Sequence, residues 1–129
     1  MKEIPEELNW IKARSACSLA YMYEKLRLQI LEDIDLQNKL PGHARFDMKT
    51  GNADFSVMTY SVEGIKSMQF SLVMPHTIRV NNGDGALKFE ATLTLNDAGE
   101  CKLRIDGKEL ELWQIRRRAL EDLFFEARR

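Results

Sequence analysis

The side chains best equipped for chemistry are one arginine and two histidines. Arg116 falls inside an apolar run at helical spacing: Trp113, Ile115, Ala119, Leu120, Leu123, Phe124 and Ala127. A guanidinium in such an arc reaches the rim, pairs with a buried acid, or grips an anionic ligand bidentately, and the first two are the commoner outcomes. His76 keeps the apolar phase of a strand and would stand opposite Ala91 of the next one. A histidine placed so is more often a hydrogen-bonded core residue than a catalyst. His43 adjoins the turn Leu40-Pro41-Gly42 and reads as exposed. No serine or cysteine joins either imidazole in a nucleophile motif.

Other constellations point away from metals and polyanions. Glu32, Asp33 and Asp35 crowd one stretch, but no further ligand lies nearby, so solvated acids are expected and no metal or cofactor is predicted. Cys17 and Cys101 fit neither a zinc spacing nor CxxC. Two free buried thiols in a reducing cytoplasm are the expectation. The run Arg116-Arg117-Arg118 resembles a nucleic-acid patch only in isolation, because Glu121 and Asp122 follow within a turn. With 19 basic and 20 acidic residues the formal net charge is −1, which lacks the footprint of a nucleic-acid binder. No apolar run reaches the roughly 18 residues of a membrane span. The start, MKEIPEELNW, is acidic and lacks the apolar centre of a secretory signal. A cytoplasmic protein is therefore expected.

The elements that must position these residues follow from two changes of hydrophobic period. The apolar spacing is about 3.6 over 6–38, 2 over 44–112, and 3.6 again over 113–128. Pro5 with Glu6 and Glu7 opens a short helix to about Arg14, and Ser15 or Ser18 would cap the next. In that longer helix Leu19, Met22, Tyr23, Leu26, Ile30 and Ile34 share an arc of about 120°, which faces the sheet. Tyr21, Leu28 and Leu31 fall on nearly the opposite side and must be covered too. Either Leu8, Trp10 and Ile11 fold back over them, or a partner helix does. In the closing helix Phe125 likewise projects among Arg118, Glu121 and Asp122.

The strands can be registered from the turns. Asp106-Gly107 suits a two-residue type I′ hairpin, whose central residues need positive φ. That turn pairs Ile105 with Lys108, Leu103 with Leu110 and Cys101 with Leu112 on one face. On the other it sets Arg104 against Glu109 and Lys102 against Glu111. Leu87, Phe89, Ala91, Leu93 and Leu95 alternate with polar residues, as in a strand with one wet face. Met68, Phe70, Leu72, Met74, Ile78 and Val80 hold one phase over a long strand that bends or lies at an edge at Pro75. Strands at 44–49 and 53–62 join at Thr50-Gly51-Asn52. A bulge near Val57 would account for the apolar shift from Phe55 and Val57 to Met58, Tyr60 and Val62.

The sequence thus predicts one α+β domain over residues 1–129. It has N-terminal helices, an antiparallel meander of five or six strands, and a C-terminal helix packed on the same sheet face. The function expected of it is a non-enzymatic protein-binding module, adaptor- or chaperone-like and homodimeric. Tyr21, Leu28, Leu31 and Phe125 would form its partner surface, with no nucleic acid or membrane as partner. The alternative is a small-molecule binder with a cavity between sheet and helix, contacting its ligand through Arg116 and His76. An enzyme ranks third, since the acid–base groups form no constellation and none is singled out as catalytic.

Overall fold

The computed structural model describes residues 9–42, 44–61 and 64–126. Two helices, α1 (Trp10–Ala16) and α2 (Leu19–Asn38), precede a sheet of seven strands. These are β1 (Phe46–Thr50), β2 (Asp54–Ser61), β3 (Gly64–Val73), β4 (Thr77–Asn82), β5 (Leu87–Leu95), β6 (Cys101–Ile105) and β7 (Lys108–Leu110). A last helix, α3 (Leu112–Glu126), follows. The strands pair antiparallel in sequence order, and α2 and α3 pack on the sheet around one apolar core. Among the described residues no helix is long and apolar enough to cross a membrane.

Each helix starts where a side chain meets its free backbone donors. Ser18 Oγ accepts from the Tyr21 amide at 3.0 Å and opens α2. Asn9 caps α1 through the Lys12 amide at 3.0 Å. At α3, Gln114 Oε1 accepts from the Glu111 amide at 2.7 Å, one half of a capping box. All six residues of the sheet-facing arc of α2 are buried, from Leu19 to Ile34. Trp10 and Ile11 stay exposed, so neither folds away over the second stripe. Pro5 to Leu8, His43, Val62 and Ala127 lie outside the described residues.

Within the core Phe55 and Phe70 stack with centroids 4.7 Å apart. The Tyr23 ring tilts against Phe55 at 5.4 Å. Burial, helped by the nearby Asp54, pushes the Tyr23 phenol up to about 12. It stays protonated and donates to the Phe70 carbonyl at 3.4 Å.

The structure corrects several expectations. The strand expected over 68–80 is a hairpin, β3 and β4, joined at Met74-Pro75-His76, which makes seven strands rather than five or six. Leu72 pairs with Ile78 and Phe70 with Val80. Even positions therefore meet even positions, and the apolar phase passes through the turn unbroken. His76 is exposed in that turn, and Ile78 takes the place opposite Ala91. No bulge occurs near Val57, because β2 keeps register with both neighbours; the irregularity lies between Val80 and Asn81. Thr59 instead continues the inward face behind Phe55 and Val57, fully buried, with its hydroxyl donating to the Arg45 carbonyl at 2.6 Å. Finally, Cys17 and Cys101 are not free thiols. They form a disulfide from the α1–α2 junction to the start of β6, with Cα atoms 5.3 Å apart. Sequence spacing says nothing about which loop of the helical layer sits over which strand.

The closing hairpin has the expected register as far as the strands run. Asp106 and Gly107 have φ of 53° and 78°, and Leu103–Leu110, Arg104–Glu109 and Ile105–Lys108 are partners. The Cys101–Leu112 rung does not form, because β7 ends at Leu110 and Leu112 begins α3. At the opposite edge, β1 is held by the last residue of α2. Asn38 Nδ2 donates to the Phe46 carbonyl at 2.9 Å, and Asn38 Oδ1 accepts from the Phe46 amide at 2.8 Å.

Candidate functional site

Three polar contacts fix α2 beside α3. Gln37, itself buried, donates through Nε2 to the Phe124 carbonyl at 3.1 Å. Arg116 Nη1 donates to Gln29 Oε1 at 2.6 Å. Both bonds span 87 positions, so the two helices run side by side in the same direction. Arg116 Nε also donates to Asp33 Oδ2 at 2.6 Å, with the two side chains 21% and 25% exposed. Pairing with an acid was one of the outcomes expected for Arg116, and Asp33 is not the solvated carboxylate expected of it.

Spaced in this way, the helices leave a groove of about 470 Å³. Leu120 and Phe124 are buried and form its floor. Large apolar side chains stand around it half in water: Leu36 is 64% exposed, Trp113 53%, Phe125 50% and Leu40 44%. On the rim Arg117 Nε lies 3.1 Å from Glu121 Oε1. The two carboxylates lining the groove, Asp33 and Glu121, thus each hold an arginine already. The concavity offers apolar contact more than acid–base chemistry.

Beyond Arg116 lies a second pocket of about 350 Å³, reached by Gln29, Lys102 and Glu111. Lys25, Lys102 and Arg116 line it; Lys102 Nζ sits 2.8 Å from Glu111 Oε2, and Arg116 is held by Asp33. Among the described residues no three His, Cys, Asp or Glu side chains gather as they would to hold a metal ion.

Of the site residues read from the sequence, Arg116 and Phe125 both line the groove. Tyr21, Leu28 and Leu31 are exposed on α2 but line neither pocket. His76 lies in the β3–β4 turn, apart from both. Sequence reasoning missed Leu36 and Leu40, and it counted Trp113 in the apolar face of the closing helix. Leu36 sits about 80° around the helix from Leu28, between the buried arc and the outer stripe, and was assigned to neither. No family model, curated protein or solved structure matches the chain.

Proposed function

We propose that this chain is a protein-binding module that receives an apolar segment of a partner in the groove between α2 and α3. The observation that carries this reading is the ring of half-exposed Leu36, Leu40, Trp113 and Phe125 over a buried apolar floor. Keeping such surface wet is disfavoured by roughly 25 cal/mol per Å². Apolar patches rimmed by charge are the usual mark of interaction sites, and aromatic side chains dominate their energetics. Tyr21, Leu28 and Leu31 add exposed apolar side chains on the outer side of α2. The module acts as an adaptor or chaperone rather than an enzyme, because the acids beside the groove are engaged by arginines. The small-molecule alternative would use the pocket beyond Arg116, where two of the cations that line it, Lys102 and Arg116, are already paired with acids of the chain. Compartment follows the cysteine pair: thiols kept reduced suit the cytoplasm, and a persistent disulfide suits an oxidising compartment.

A random-peptide library selected against the immobilised protein tests the groove. Enriched peptides should carry aromatic or leucine anchors. They should lose about tenfold or more in affinity towards Leu36→Glu. That exposed substitution leaves the circular dichroism unchanged. Peptides that bind both proteins equally would overturn the reading.

A further inference from the structure

The α3 wall of the groove carries Trp113, Arg117, Glu121 and Phe125, all exposed and each four residues after the last. Residues at that spacing form one continuous ridge on a helix, inclined about 26° to its axis. Read from either end, the ridge runs aromatic, charge, charge, aromatic, and its two charges are opposite.

Such a ridge is complementary to itself when reversed. Rotate a second copy by half a turn about an axis crossing α3 at the level of Ala119. Arg117 then meets Glu121 of the second copy, and Trp113 meets its Phe125. Each contact occurs twice, as in any interface with twofold symmetry. A parallel pairing would instead set Arg117 against Arg117 and Glu121 against Glu121. We propose that the groove is an interface between two copies of this chain, joined antiparallel through their α3 ridges. This rests on the reading of the groove as a protein-binding surface and names its occupant.

The packing needed is ordinary. Two helices whose four-residue ridges interdigitate cross at about −50°, the commonest class in globular proteins. Because α2 and α3 run in the same direction, the Phe125 end of the ridge lies at the end of α2 where Leu36 stands and Leu40 follows. The reversed copy therefore brings its Trp113 to the most apolar end of the groove. The Arg117–Glu121 pair within each chain becomes part of a ring of four alternating charges.

Light scattering on the full chain at tens of micromolar, with two charge reversals, tests the pairing. The unaltered protein should have the mass of a dimer. Arg117→Glu and Glu121→Arg each set like charges opposite one another and should raise the dimer dissociation constant about tenfold or more. The pair within one helix adds little to folding, so both variants should keep the circular dichroism of the parent. Mixed one to one, the two variants should form a dimer again, since the acidic ridge of one faces the basic ridge of the other. A parent protein that stays monomeric, single reversals that leave the dissociation constant unchanged, or a mixture that stays monomeric would each overturn the pairing. Monomeric protein that still captures peptides in a Leu36-dependent way removes only the second copy as occupant. A dimer sensitive to both reversals, with no Leu36-dependent peptide binding, upholds the pairing and removes the reception of foreign segments.

Discussion

Arg116 shows what one side chain can settle. Its Nε and Nη1 reach Asp33 and Gln29 on α2, so a single guanidinium satisfies two polar groups of the neighbouring helix. Truncating it leaves the largely covered Asp33 carboxylate without its cation. Arg116→Met should therefore cost about 1–3 kcal/mol in chemical denaturation, tempered by the water that reaches the pair. Replacing both partners, Arg116→Met with Asp33→Leu, should recover part of that loss, because no charge is then stranded. A single variant as stable as the parent would mean that the arginine only reaches for the rim. Arg116 was legible in the sequence as a cation in an apolar arc. Its partner was not: Asp33 stands between Glu32 and Asp35, 83 positions away, and no local pattern separates it from its neighbours.

Among the elements, the closing hairpin was legible because turn chemistry and two charged rungs agreed. The side chains refine that picture. Lys102 and Glu111 form their ion pair at 2.8 Å, whereas the Glu109 carboxylate, in register with Arg104, accepts from Asn96 Nδ2 at 3.2 Å. A double-mutant cycle on Lys102 and Glu111 should give a favourable coupling, and the same cycle on Arg104 and Glu109 a smaller one. Equal couplings, or the reverse order, would contradict this division. The β3–β4 hairpin was not legible, because a three-residue turn centred on an odd position leaves the parity of the apolar residues intact. Pro75 was visible as a break but gave no sign that the chain reverses there. Thr59 misled in another way. Its inward hydroxyl is satisfied by the Arg45 carbonyl, an acceptor that period-two counting cannot see. The groove residues escaped for a related reason. A position between the buried and exposed arcs of a helix is assigned only once the neighbouring helix is in place.

For the molecule as a whole, the elements before and after the sheet are brought together over long stretches of sequence. The disulfide closes a loop of 84 positions. The chain-entropy relation for a loop of that size gives about 4–5 kcal/mol of stabilisation, by restricting the unfolded ensemble. Denaturation with and without a reductant should show a loss approaching that size, and the variant Cys17→Ala with Cys101→Ala should match the reduced protein. Equal stability under both conditions would mean the cysteines never join in solution. The Asn38 carboxamide has a consequence on the same scale. An edge strand exposes unpaired amides and carbonyls that invite strands from other molecules, the first step towards fibrous aggregates. At Phe46 those groups are already occupied by Asn38, and the other edge, β7, is only three residues long. Lateral growth of the sheet therefore finds its template taken at the Phe46 end of β1 and only a short one at β7, a protection that counts for more in a chain whose formal charge of −1 gives it little repulsion.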